Sequence, residues 1–266
     1  MRDNNFSILQ YDEERKAFLN PEDMNIGKKK INKCCVLCFF DNVLKELENS
    51  KEIRVVETLN SPLGSHNIYE LKYKDMLINI FNPGLGGPMA AGFLEELISL
   101  GCENFMACGG AGVLDSSIEM GQLIIPITAS RDEGTSYHYI MAEQELKLKD
   151  EVLEVIENVL TINNINYLKG KTWTTDAIYR ETKNKIDKRK KEKCITVEME
   201  FASMLAVSIF RNVNFGQLLY GGDNLDGTIW EYRNWRENES IQSKMLWLCA
   251  DMLVYMDKKN NKKEKE

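Results

Sequence analysis

The stretch "NFMACGGAGVLD", Asn104 to Asp115, decides how the chain is read. A short apolar run, Phe105 to Cys108, passes directly into Gly109, Gly110, Ala111 and Gly112. The run predicts a strand over 104–108, and the glycines predict a turn that brings backbone N–H groups up to an anion. Two further apolar runs also end in glycine, "INIFNPGLGGP" (78–88) and "GQLLYGGDN" (216–224). A tight strand-to-helix turn accounts for each one singly, but three together predict one composite site beyond the carboxyl ends of parallel strands. A dinucleotide fingerprint does not fit: "GLGGPM" lacks the third glycine at its spacing, and "GAGVLD" has an aspartate there.

Outward from that stretch, segments of the two periodicities alternate. Strands are expected at 34–40, 76–81, 104–108, 122–129, 167–174, 194–197 and 215–220, and helices at 41–49, 88–100, 143–163, 181–191, 198–212 and 238–257. Such alternation predicts an α/β fold with a mainly parallel sheet covered by helices on both faces. Residues 1–30 are polar, end in Lys28, Lys29 and Lys30, and are expected to form an N-terminal arm. Residues 258–266 are a charge run expected to be a flexible tail, and 31–257 a single domain.

The 266 residues are 43% hydrophobic and 28% charged, an ordinary globular balance. A net charge of −7 argues against nucleic acid as a partner. No apolar run is long enough for a membrane span, and the N-terminus lacks an apolar signal core, so a cytoplasmic protein is expected. The cysteines are then expected to be reduced thiols. Cys34, Cys35 and Cys38 sit in "CCVLCFF" and read as core packing, not as metal ligands.

Two acidic positions resist a bland reading. "TVEMEFASMLAVSIF" (196–210) predicts a helix that is apolar nearly all round, preceded by Thr196 as an N-cap type. Glu198 and Glu200 then fall in its first turn, about 200° apart, and do not form a pair on one substrate atom. Either both favour the positive helix N-terminus, or one is held by a specific partner such as a sugar diol, whose two hydroxyls a carboxylate accepts. Asp223 follows Gly221 and Gly222 and reads either as a turn residue or as an acid facing a leaving group.

At this point the chain resembles the nucleoside phosphorylase and nucleosidase superfamily. The resemblance rests on "NPGLGGPMAAGFLEEL", "FMACGGAGVLDSSIEMGQLIIP", "TASRDEGTSYHY", "KTWTTDAIYRET", "VEMEFAS" and "YGGDNLDG", in that order. It implies a three-layer α/β/α sandwich with a mixed central sheet, assembled as a homo-oligomer (dimer, trimer or hexamer) with sites near subunit interfaces. It also implies cleavage of a nucleoside N-glycosidic bond. Carried over by position, Glu200 binds the ribose hydroxyls, Met199 packs beneath the sugar, and His66 lies nearby at an interface. Glu198, Ile178, Tyr179, Arg180 and Trp173 would lie on the base side, and Asp223 would protonate a purine at N7 as it leaves. Gly84, Gly86, Gly109, Gly110 and Gly112 would wall the nucleophile, with Arg131 available to it. No cofactor is implied beyond inorganic phosphate as co-substrate.

The chain departs from the resemblance where phosphate should bind. Phosphorylases of this kind hold it with arginines at three places, and here those places read "CFFDNVLKE", Ser65-His66-Asn67 and Ala107. The first expectation is phosphorolysis, probed against hydrolysis with Asp41 activating water, Asp41 reading equally as a helix N-cap. The expectation of another class is a nucleoside-binding protein without turnover.

Overall fold

The computed structural model describes residues 6–263. Nine strands form one mixed, mostly parallel sheet between two helical layers. In chain order they are β1 (Cys34–Cys38), β2 (Ile53–Ser61), β3 (Gly64–Tyr73), β4 (Met76–Phe81), β5 (Asn104–Val113), β6 (Leu123–Asp132), β7 (Tyr167–Thr175), β8 (Cys194–Glu198) and β9 (Asn214–Asn224). The helices are α1 (Pro21–Met24), α2 (Asp41–Asn49), α3 (Gly87–Ser99), α4 (Asp150–Ile162), α5 (Lys183–Lys191), α6 (Phe201–Arg211) and α7 (Glu239–Lys263). α3 packs on α6, whereas α7 packs on α2, α4 and the central strands.

The sheet order is β2-β3-β4-β1-β5-β8-β7-β6-β9, and β9 pairs again with β5. Five strands therefore close on themselves while the other four continue as an open sheet. β1 lies at the centre with all five residues buried, as a strand covered on both faces requires. Its cysteines are free thiols within that core.

The glycines of the opening stretch do not form a turn. β5 runs straight through them: Gly109 pairs with Leu219, Gly110 with Tyr220, and Gly112 with Val197 of β8. None of the three has a positive φ. They are glycines because rings and side chains lie against the strand. A Cβ on Gly109 would sit 3.4 Å from the Phe39 ring, one on Gly110 3.2 Å from the Tyr220 ring, and one on Gly112 2.5 Å from Leu225 Cδ1. β9 likewise continues through Gly221 and Gly222, so Asp223 belongs to the strand itself.

Other boundaries move for identifiable reasons. The antiparallel hairpin β2–β3 had no expected counterpart, because only scattered positions such as Leu59, Ile68 and Leu71 face the core and no apolar run marks it. α4 starts at Asp150 and not at 143, because the preceding residues are tied to β6 by a Thr128–Lys147 bridge. α6 starts at Phe201 and not at 198, because Glu198 ends β8 and caps the helix that follows. Thr196 is consequently a buried strand residue and not a cap. α7 continues to Lys263, with Lys259 bonded to Glu154, so residues 258–263 of the expected tail are helical. Glu264, Lys265 and Glu266, like residues 1–5 of the arm, lie outside the described residues.

Candidate active site

The carboxyl ends of β5, β8 and β9 converge on a chamber of about 300 Å³. Its walls include Gly110 and Gly112, Val197 to Glu200, Ile178, Glu181, Asp223, Leu225 and Trp230. β9 runs parallel to β5, and β8 meets β5 antiparallel at Gly112 and Val197, close to the carboxyl end of each, which is why a chain-wide set of residues meets in one place.

At the β8–α6 junction the two nearby glutamates have different tasks. Glu198 Oε2 accepts from the N–H groups of Glu200 (2.8 Å) and Phe201 (2.6 Å), and its Oε1 accepts from Thr174 Oγ1 (2.5 Å) and Thr172 Oγ1 (3.5 Å). It therefore satisfies the orphan N–H groups at the start of α6 and fixes where that helix begins. Burial raises its pKa to about 7, against the pull of those hydrogen bonds. Glu200, the N-cap residue of α6, accepts from Gly86 N–H at 2.6 Å. Gly86 reaches it from a left-handed backbone conformation, φ 88°, at the entry to α3. Burial first, and then the charge of Glu198, raises the Glu200 pKa to about 8.

Across the chamber, Asp223 Oδ2 accepts from the Trp230 indole N–H at 2.6 Å. Glu181 stands in the same wall and makes no side-chain hydrogen bond or ion pair among the described residues. Its pKa is raised to about 7 by burial and then by the charge of Asp223. Sequence reasoning passed over Glu181, although it adjoins the "DAIYR" segment, because nothing local distinguishes it from its exposed neighbours. Trp230, Tyr232 and Trp235 were also missed; they reach the chamber from the segment after β9, and only the fold brings them there.

Several expected residues lie elsewhere. Trp173 is fully buried, donates to Asp132 Oδ2 at 3.1 Å and packs beneath Lys185 and Arg189, so no base can reach it. Arg131 spends its donors on the carbonyls of Ile140, Met141 and Gln144 and on Ser136 Oγ, holding a loop instead of an anion. Tyr179 and Arg180 are exposed and do not line the chamber. Asp41 opens α2, is exposed and pairs with Lys45 at 2.6 Å, away from the chamber. His66 sits in the β2–β3 hairpin, 4.6 Å from the Phe93 ring and bonded to Ser61 Oγ, so within one copy of the chain it does not touch the sugar end. Gly84 and Gly109 do not line the chamber, and Gly86 contributes through Glu200 alone. Among the described residues, no arginine, lysine or histidine lines the chamber.

A family model described as the phosphorylase superfamily matches residues 33–248. A guanosine phosphorylase of Halorubrum lacusprofundi is 27% identical over 160 residues, 60% of this chain and 66% of that protein. A uridine phosphorylase of Thermococcus kodakarensis is 35% identical over 108 residues, 41% of this chain and 39% of its own length. The chain thus spans less than two thirds of either relative. The structure of a uridine phosphorylase from Vibrio fischeri ES114 superposes with a TM-score of 0.70 at 20% identity, covering 84% of this chain and 92% of that one. At that identity the likeness is one of fold.

Proposed function

The chain belongs to the phosphorylase superfamily, and on that premise we propose that it cleaves the N-glycosidic bond of a nucleoside, with a purine as the leaving base. One observation carries this reading: Glu200 lines one end of the chamber with a carboxylate anchored by Gly86 N–H, while Asp223 lines the other. The first group suits a ribose diol, and the second suits a proton acceptor on a departing base. Departure of the base leaves positive charge on the ribose, which the Glu200 carboxylate stabilises in its ionised form. Asp223 and Glu181 favour a purine, since a base with an N7 acceptor can take a proton from an acid at that point.

Phosphate is the nucleophile and co-substrate that the family relationship favours. Water is the second reading, supported by the lack of a lining arginine, lysine or histidine among the described residues. A charge-assisted contact to phosphate is worth about 1.5–3 kcal/mol, and no cationic side chain among the described residues lining the chamber makes one. We place the chain in a homo-oligomer; a groove at Pro62, Leu63, Pro88 and Met89, between the β2–β3 hairpin and α3, supports this. A nucleoside panel followed by chromatography, with and without phosphate, tests the whole reading. Ribose 1-phosphate formed only with phosphate supports phosphorolysis, free ribose supports hydrolysis, and tight binding without turnover leaves a binding protein.

A further inference from the structure

The chamber does not end at the base. A second cavity of about 470 Å³ shares Ile178, Glu181, Asp223, Leu225 and Trp230 with it, so these residues form a waist between two connected spaces. Beyond the waist the walls change character. Tyr179, Ile186, Gly227, Thr228 and Ile229 line only the outer space, and with Ile178, Leu225 and Trp230 they make it largely apolar. Its one lysine, Lys183, is already paired with Asp187 at 3.0 Å.

The outer wall is built and not merely draped. The segment after β9 folds back on itself, with Asn224 N–H donating to Glu231 O at 2.9 Å and Glu231 N–H donating to Asn224 O at 3.1 Å. Asn224 Nδ2 adds a bond to Glu231 Oε2 at 2.9 Å. Asp226 anchors the turn by accepting from Ser116 N–H and Oγ and by pairing with Lys190. Ile229 and Trp230 are nevertheless 74% and 61% exposed, an unusual position for two large apolar side chains on a pinned turn.

Orientation follows from the inner groups, and so rests on the nucleoside reading above. The sugar lies at Glu200, which lines only the inner chamber, and the base at Asp223 in the waist. The edge of a purine that carries N7 also carries the substituent at C6. An acid at N7 therefore puts the C6 group beside Asp223, facing the outer space.

We propose that the outer cavity is a binding subsite for an apolar substituent on the base, and that the preferred substrate is a purine nucleoside whose 6-amino group carries an alkyl or aryl group. Glu181, in the waist next to Asp223, accepts the hydrogen that such a secondary amine retains. The polar part of the base is thus held at the waist, and the apolar part leaves water beyond it.

The test compares adenosine with a series of N6-alkyl adenosines of increasing chain length, measuring kcat/KM with phosphate present and absent. Burial of successive methylenes raises kcat/KM by roughly tenfold to a hundredfold for a four- or five-carbon substituent. Calorimetry with the corresponding free bases reads the same gain without turnover. Ile229→Glu places a charge in the outer wall at an exposed position and lowers the ratio of substituted to unsubstituted substrate. A ratio at or below one in the wild-type chain, or a ratio that Ile229→Glu leaves unchanged, overturns the subsite while leaving nucleoside cleavage standing. A chain that neither cleaves nor binds any purine nucleoside or base overturns the nucleoside reading and the subsite with it.

Discussion

The β8–α6 junction and the end of β9 both place carboxylates at the same chamber, but they use them in opposite ways. Glu198 at the junction gives its oxygens to Thr172, Thr174 and two backbone N–H groups. At the end of β9, Asp223 takes a bond from Trp230, and Glu181 beside it takes none from the described protein. A buried carboxylate saturated by its own chain is architecture; one left with acceptor capacity in a cavity wall is available to a ligand. Glu200 stands between these extremes, anchored by the Gly86 backbone N–H.

That contrast breaks if the two ends respond alike to mutation. The largest expected effect is at the base end. Asp223→Asn lowers kcat/KM for purine nucleosides by about 10²–10⁴ through loss of acid catalysis, with little change in melting temperature. Steady-state kinetics alongside calorimetric unfolding read both quantities. At the junction the balance inverts: Glu198→Ala strands the N–H groups of Glu200 and Phe201 and the Thr174 hydroxyl, and costs about 2–4 kcal/mol of stability in denaturant unfolding. A melting curve that barely moves would remove the capping role assigned to Glu198.

The pH dependence sharpens the comparison. Burial raises Glu198 and Glu181 to about 7 and Glu200 to about 8, above the ordinary 4.5. In that interval the folded chain holds protons that the unfolded chain has released. The associated stability is therefore complete below about pH 4.5 and is lost as pH rises through 7 to 8. Unfolding measured from pH 4.5 to 9 should show this decline, and Glu200→Gln should flatten it. A curve for Glu200→Gln that parallels the wild type counts against the burial assigned to that carboxyl.

Smaller effects mark residues that the fold takes away from the site. Arg131→Met loosens the loop at 140–144 and costs about 1–3 kcal/mol, since its guanidinium bonds several carbonyls. It leaves any phosphate dependence of the rate as it was. Smallest is Asp41→Asn, which breaks an exposed pair with Lys45 and changes neither melting temperature nor turnover. A large loss of turnover there would restore Asp41 as an activator of water.

Much of the fold was legible because its signals are local. The buried run at Cys34–Cys38, the alternation of strands with helices, and the order of the acidic and glycine motifs require no knowledge of what lies opposite. The β2–β3 hairpin was illegible for the same reason, since an edge hairpin with few core-facing residues carries little apolar signal. Trp173 and Arg131 read as plausible site residues because sequence gives a side chain's chemistry but not its partners.

By itself, the sequence determined the α/β class and singled out Glu200 and Asp223 as candidate carboxylates, while the absence of an arginine at Ala107 carries meaning only through the family resemblance. Only the tertiary structure decided that "NFMACGGAGVLD" is strand throughout, because the Phe39 and Tyr220 rings that require Gly109 and Gly110 come from distant parts of the chain. It also decided that Glu198 spends its oxygens on the start of α6 while Glu200 accepts from Gly86, and that Glu181 joins Asp223 at the waist. Those assignments depend on what each carboxylate meets in space, and neighbours in space are what a linear sequence does not contain.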